Sequence, residues 1–517
     1  MDAQDTEYSN ATVSIDGRVI TAVEPSAPTA SSTSTAAPLS AAPPPSAASR
    51  PPNSSRPPGV REIDATGHLL MPGLINAHFH SSTNHLKGAF DSLPLEIFML
   101  YESPPQEAAA QPRDAYVRTM LGALEMLKSG VTTVLDDAFF VPAPSPESID
   151  AVMQAYEDCG IRAVLGLDQP NVPELDKFPF LRDLLPPQLR AQAAAAPPMD
   201  AQGLLDCYQH LIEHWHDRDE GRLRAAVSCS APQRVTIPYF RALDDLSRRH
   251  GLPFYVHILE TKLQRVLGEE RFGGRSLIRY VHDEGLLSER LNIVHSVWAD
   301  EDDMDLIARA GSVVAHNPIS NLRLGSGVMP FQALRSRGIP ICLGTDEAIT
   351  DDAVNLWSVA KLTGLIHNIG AVDYQTWPKA SDVLDCLFRG GSRATRAPRP
   401  IGQIAAGHQA DLILLDLDTL AFTPLNDLRR QLVYCENGSS VRMTMVAGTI
   451  VCENGTVTGV DETALRQEAR EIAARQRPAN EAARAAAAEW LPYYREMYLR
   501  AARRDVGLWR WTGEGRI

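Results

Sequence analysis

The chain has 517 residues, of which 44% are hydrophobic and 22% charged, and its mean hydropathy is -0.18. At roughly 100–200 residues per domain, this allows two to four domains with a substantial core, which excludes a disulfide-stapled peptide and a wholly disordered chain. A net charge of -15, from 49 Lys+Arg against 64 Asp+Glu, has the wrong sign for binding phosphate backbones, and no run of about 20 apolar residues offers a membrane span.

The first residues, MDAQDTEYSNATVSIDG, have neither a basic n-region nor an apolar h-region, so a cytoplasmic protein without a secretion signal is expected. Residues 11–23 alternate like a strand pair, with a turn at Asp16-Gly17. From residue 24 to 59 the chain is almost entirely Ala, Ser, Thr and Pro, a composition that cannot bury enough apolar surface to offset its ordering entropy. A disordered loop is expected there, followed by a strand-like piece over 61–70. Over the next 330 or so residues, short β-branched runs alternate with helical stretches. The runs are 68–80, 130–138, 162–167, 222–230, 253–259, 291–297, 312–318 and 340–346. Eight such units predict an α/β fold, a closed (β/α)8 TIM-like barrel. The open doubly wound sheet is the alternative, but no G-x-G-x-x-G follows an early strand. Beyond Gly402 the strands return (410–418, 431–435, 441–457), with Asn454-Gly455 as a hairpin signal. They resemble the N-terminal pieces, so a small β-sandwich built from both chain ends is expected. The Ala/Glu/Arg-rich residues 461–504 read as helix, broken near Pro478. The expected organisation is 1–70 for the first part of the sandwich, 71–400 for the barrel, 401–460 for the rest of the sandwich and 461–517 for a helical extension. Seven scattered cysteines without a C-x-x-C pair read as reduced, mostly buried thiols.

In a barrel the strand C-termini converge on one face, and sites of this fold sit there. His78 and His80 are two apart on a strand, so both point to one side, taken as the barrel interior. His257, His295 and Asp346 end three further strands. A lone H-x-H carries little signal; the recurrence of ligand-type residues at equivalent strand ends carries much more. Imidazoles with one carboxylate and an open position suit a catalytic Zn²⁺, with Fe²⁺ or Mn²⁺ possible. Such a metal lowers the pKa of its bound water towards about 7. The fourth run, RLRAAVSCS, has no lysine to bridge a second ion, so one metal is expected. On spacing alone, Glu260 is either a proton shuttle or a helix N-terminal acid. His295 either binds the metal or holds the hydrolytic water, and Asp346 can bind metal and accept a proton.

The motifs MPGLINAHFH (71–80), VHILET (256–261), IVHSVW (293–298), HNPISNLRLGSG (316–327), LGTD (343–346) and GHQADLILLD (407–416) resemble the amidohydrolase superfamily, specifically its branch of heterocycle deaminases and triazine hydrolases. The resemblance runs from residue 63 to 457. It implies one divalent metal on His78, His80, His257 and Asp346, Glu260 as the proton shuttle, and His295 as the holder of the water or the developing oxyanion. It also implies hydrolysis of a C–N bond, most often an exocyclic amine on a purine, pyrimidine, pterin or triazine. Some relatives expel chloride or an alkylamine instead.

Several residues depart from that pattern or bear on the substrate. Glu347 stands where many relatives have glycine, and is either an acidic substrate contact or a solvated loop residue. Gln233 and Arg234 follow the fourth strand, where relatives take specificity contacts, although Arg234 also reads as an exterior ion pair. His316 and Asn317 are expected to shape the site after strand seven. Lys87 and His85, after the first strand, have open roles. The rival readings are an amide, urea, carbamate or chloro-substituent hydrolase on the same fold, and a non-catalytic scaffold. Expected partners are a small heterocyclic substrate and further copies of the chain in a homo-oligomer, with neither nucleic acid nor membrane.

Overall fold

The computed structural model describes residues 7–25, 60–102 and 111–511. The Ala/Ser/Pro segment therefore lies outside the described residues from 26 to 59. Strands β1 (Ala11–Asp16) and β2 (Val19–Pro25) form the antiparallel hairpin, turning at Gly17 with φ +54°. The 68–80 run divides into β3 (His68–Pro72) and β4 (Leu74–His80). The hinge is Gly73, where a Cβ would lie 2.1 Å from Thr132 Cγ2, so only glycine passes.

Eight parallel staves follow. They are β4, β5 (Val131–Ala138), β6 (Arg162–Leu167), a stave broken into β7 (Leu223–Ala225) and β8 (Val227–Ser228), β9 (Phe254–Ile258), β10 (Leu291–His295), β11 (Val313–His316), and a second broken stave, β12 (Ile341–Leu343) with β13 (Asp346–Glu347). One arc runs β13-β4-β5-β6-β7 and the other β12-β11-β10-β9-β8. The arcs share the two broken staves, and the Ala226 N–H reaches Leu165 O at 2.7 Å across one break, so the cylinder closes as a TIM-like barrel. Its interior is plugged by Ile75, Ala77, Leu135, Val164, Ala226, Tyr255, Val294, Ala315 and Cys342.

Strict alternation would then aim His78 and His80 outward, because Ile75 and Ala77 already face in. A bulge in β4 prevents this: Asn76 pairs with Val134 but Phe79 with Asp136, three residues against two. The extra residue shifts the phase, so both histidines turn inward while Phe79 joins the outer core beneath the helices.

The chain ends meet in a second, antiparallel sheet. Its order is β17 (Thr456–Val457), β16 (Thr449–Glu453), β15 (Val441–Val446), β14 (Leu412–Asp416) and β3. The hairpin lies against it through Ile20, which packs with Ile404, Leu412, Leu414, Met443 and Met445. A buried ion pair fastens this sheet to the barrel: Arg162 donates to both Asp411 carboxylate oxygens, at 2.7 and 3.1 Å. Two expectations fail. Residues 431–435 are not a strand: 431–434 belong to a helix, Leu428–Tyr434, which Cys435 ends and Asp427 starts, the Asp427 side chain accepting from the Arg430 N–H. The C-terminal helix does not break at Pro478; it runs Glu462–Ala487 through that proline, and the interruption falls before Leu491–Arg503. All seven cysteines are unbonded, and Cys435 alone is exposed.

Candidate metal centre

At the C-terminal rim of the barrel, β4, β9, β10 and β13 bring together His78, His80, His257, His295 and Asp346, all buried. The Nε2 atoms of His78 and His80 lie 3.3 and 3.4 Å from Asp346 Oδ1, and His257 Nε2 lies 3.3 Å from His78 Nε2. The outer nitrogens are occupied. His80 Nδ1 meets the Asp137 carbonyl, and His257 Nδ1 meets the Ser230 carbonyl at 2.8 Å. A carbonyl only accepts, so Nδ1 carries the proton and the bare Nε2 lone pair faces inward. The bare His257 Nε2, the His78 Nε2 3.3 Å from it and the anionic Asp346 Oδ1 converge on one small space, an arrangement that a cation among them would hold together. The donor set thus fits a divalent metal: His78, His80 and Asp346 hold their donor atoms within 4.8 Å of one another, as do His78, His257 and His295.

Electrostatics agree with that use. Burial, then the neighbouring imidazoles, holds His257 well below its ordinary pKa, and burial lowers His78. His80 differs: burial opposes its charge, but the Asp346 hydrogen bond and then the charges of Glu347 and Asp346 outweigh it and keep that ring well above its ordinary value, so a metal ion there would displace a proton from its Nε2. Asp346 itself would be raised by burial, yet its contacts with His78 and His80 hold it well below the usual carboxylate range, so it is an anion.

The backbone here is strained. Ser230, Leu259, His295, Ser296 and Asp346 all have φ between +49° and +74°, uncommon for residues with a Cβ. The LGTD motif has a packing reason: a Cβ on Gly344 would lie 2.5 Å from Asn317 Oδ1 and 2.7 Å from the His78 Cβ. Asn76 accepts from the Thr345 N–H at 3.0 Å and donates to the Thr345 hydroxyl at 2.8 Å, tying the strand of the histidine pair to the strand of Asp346.

Glu260 sits just past β9, buried, with its N–H donated to Gln264 Oε1 at 2.9 Å. Its Oε2 is 3.5 Å from His295 Nε2, and Ser326 Oγ donates to its Oε1 at 3.5 Å. Burial, followed by the charges of Asp346 and Glu96, raises its carboxyl well above the usual range. His295 Nδ1 donates to Asn321 Oδ1 at 2.9 Å, leaving Nε2 towards Glu260 and Asp346, and burial pushes its pKa down to about 4.

The expected substrate contacts divide. Glu347 is at the rim beside the Asp346 carboxylate, and burial, then Glu102, raises its pKa well up. Gln233 is buried with its amide oxygen lacking a partner among the described residues. Arg234 is half-buried, bonded to Ser230 Oγ at 3.3 Å and against Met99 Sδ at 3.1 Å, so it is no exterior ion pair. His316 turns to His367, Nε2 to Nε2 at 3.0 Å, whereas Asn317 lies against His295 and the Gly344 backbone. Lys87 pairs with Glu125, and His85 is half-buried, with its pKa held well below the ordinary value by burial of the ring.

Four residues escaped the sequence reading. Asp136 accepts from the Ser81 N–H at 2.9 Å and the Tyr156 hydroxyl at 2.8 Å, pinning the chain after His80. Asp137 accepts from Ser228 Oγ at 3.0 Å, and Asp168 brings a carboxylate oxygen within 4.8 Å of the His80 and His257 donor atoms. Strand-end position was the available signal for these three. Asn321, which orients His295, has no such signal.

A strand-end His/Asp centre in an eight-stave barrel defines a class of metal-dependent hydrolases, and the comparisons agree. Residues 69–451 match the amidohydrolase family model, and the chain belongs to the amidohydrolase family. It is 31% identical over 417 residues to the 5-methylthioadenosine/S-adenosylhomocysteine deaminase of Nitratidesulfovibrio vulgaris, covering 80% of this chain and 86% of that one. It is 28% identical to the 5'-deoxyadenosine deaminase of Methanosarcina mazei, covering 80% and 87%. Among solved structures it is similar to a zinc-bound adenosine deaminase from Xanthomonas campestris, with TM-score 0.72, 26% identity, and 90% and 94% of the chains covered. The fold also matches the zinc complex of atrazine chlorohydrolase from Arthrobacter aurescens, with TM-score 0.75, 21% identity, and 91% and 96% covered.

Proposed function

We propose that this protein is a metal-dependent hydrolase that deaminates an amino-substituted N-heterocycle, with adenosine-type nucleosides the first substrates to try. The observation that carries it is the ring of inward-facing Nε2 atoms around Asp346, with the buried Glu260 carboxyl at its edge. The named deaminases among its relatives support the same reading. His78, His80, His257 and Asp346 hold one divalent ion, Zn²⁺ by preference and Fe²⁺ or Mn²⁺ as alternatives. When bound, that ion would supply a Lewis acid and acidify a water to a pKa of about 7.

The chain's own groups supply the rest. Glu260, kept in low dielectric, takes a proton from the attacking water and returns it to the substrate as the amine departs. His295 orients the attacking water, which donates to its bare Nε2, and holds the developing oxyanion once that nitrogen has taken up a proton, with Asn321 fixing the ring. Asp346 is the anion that receives the second proton of that water as it adds to the ring carbon and passes it to the leaving amine, while Glu260 returns the first to the ring. The C–N bond then breaks and ammonia leaves. Glu347, Gln233, Arg234, His316 and Asn317 line or shape the substrate's place, Glu347 most directly.

Residues 71–400 form the catalytic unit, 1–70 and 401–460 a small sandwich of hairpin and antiparallel sheet, and 461–517 a helical extension. The expected setting is a cytoplasmic homo-oligomer acting on a small molecule. Among the described residues, no helix is long and apolar enough to cross a membrane.

The test is ammonia release by protein loaded with Zn²⁺, Fe²⁺ or Mn²⁺, against aminopurine nucleosides, aminopyrimidines, pterins and aminotriazines, with His257→Ala as blank. Release lost in the variant supports deamination and identifies the ring. Silence with metal bound transfers the reading to amide, urea, carbamate or halide hydrolysis; silence without bound metal transfers it to a scaffold.

A further inference from the structure

We propose that Arg510, near the C-terminus, is a positioning residue for the reaction: with Trp511 it straps together the two rim loops that carry Glu260 and His295 and a third, 317–328, whose Ser326 and Asn321 touch them. This rests on the function proposed above. The Arg510 guanidinium donates from Nε to Val297 O at 2.8 Å and from Nη2 to Ala299 O at 2.6 Å, on the chain just past His295. That chain leaves β10 through two left-handed residues, His295 and Ser296, so its path is strained and needs outside support.

The second loop is that of residues 317–328. Val328 N–H donates to Arg510 O at 2.8 Å, and the Trp511 indole donates to Gly325 O at 2.8 Å. Gly327, at φ +125°, is in close approach to this strap: a Cβ there would lie 2.8 Å from Arg510 O. Between these anchors sits Ser326, whose hydroxyl donates to Glu260 and whose N–H donates to Asn321 O at 2.8 Å; Asn321 in turn holds His295. The third loop starts at Glu260. Lys262, two residues on, donates to Ala502 O at 2.8 Å and lies 5.3–5.8 Å from the rings of Trp298, Trp509 and Trp511. The Trp298 indole closes the circuit on Ser326 O at 2.8 Å.

Each loop is therefore held within a few residues of a group placed in the mechanism, by a segment that carries no part of it. Arginine suits this role because its rigid planar fork presents donors to two carbonyls in fixed directions, whereas a lysine ammonium is a flexible point charge. Misplacement of such loops by a fraction of an ångström costs rate without displacing metal.

The test uses the full-length, metal-loaded protein. Arg510→Ala is expected to keep stoichiometric metal and lower kcat about tenfold or more with KM nearly unchanged. Arg510→Lys, which keeps the charge without the rigid fork, should fall between, and serves if the alanine variant does not fold. In a double-mutant cycle, Ser326→Ala should add little to Arg510→Ala, because both act on Glu260 through one loop. Amide exchange over residues 295–299 and 321–328 should quicken about tenfold in either Arg510 variant, a readout independent of turnover. Full kcat in both variants, strictly additive effects, or a kcat loss that only tracks lost metal overturns the proposal. A parent protein without turnover, but with quickened exchange in the variants, would overturn the proposed reaction and leave the strap standing.

Discussion

The two ends of the barrel treat buried charge in opposite ways. At the end facing the second sheet, Arg162 and Asp411 are paired completely. Both Asp411 oxygens accept from the guanidinium, one also takes the Ala447 N–H at 2.7 Å, and Arg162 donates further to Gly221 O at 3.1 Å. At the rim, Glu260 and Glu347 are held among the histidines with carboxyls raised by burial, Glu347 Oε2 lacks a hydrogen-bond partner among the described residues, and the backbone there is strained at five residues. Identical chemical groups serve cohesion where every lone pair is answered, and reactivity where some are left open.

The sharpest way to break this comparison is His257→Ala. It should empty the centre and abolish turnover while the folded fraction stays near that of the parent, read by metal analysis beside circular dichroism; retained stoichiometric metal would sink the ligand assignment. Glu260→Gln comes next, with metal retained and kcat down by about 10²-fold or more. At the opposite end, Arg162→Ala should leave Asp411 as an unpaired buried charge and cost about 3–5 kcal/mol of stability in denaturant titration. Unchanged stability there would mean the pair is ornamental.

The smallest effect sharpens the comparison at the rim's margin. Burial, followed by Glu125 and Asp352, raises the Asp351 carboxyl from 3.8 to about 7. Its Oδ2 lacks a hydrogen-bond partner among the described residues. Between those values the folded state binds more protons than the unfolded one, so stability falls as pH rises through that window. Asp351→Asn should therefore raise the melting point at pH 8, by the equivalent of about 1–2 kcal/mol, and do little near pH 4. A gain of equal size at both pH values would assign it to packing instead.

Much of the centre was legible because strand-end position and residue type recur: His78, His80, His257, His295 and Asp346 each end a β-branched run. The phase of His78 and His80 was reached without its cause, since a bulge between Asn76 and Phe79 leaves no mark in hydropathy. QLVYC reads as a strand by propensity, yet the Asp427 cap and tertiary packing make it a helix. Pro478 reads as a break, whereas its helix continues because neighbouring turns are good helix formers. Asn321 and Arg510 act through chain segments remote in sequence, where periodicity carries no information.

The sheet in which β3 pairs with β14 has one more consequence, for the order in which the molecule can be made. β3 emerges before the entire barrel and its partner after it, so a growing chain holds an unanswered strand edge throughout barrel synthesis. Loop closure over such a span is slow. β14, made only after the barrel, therefore completes the edge that β3 opened, and synthesis halted within the barrel leaves β3 open to pairing with a neighbouring chain.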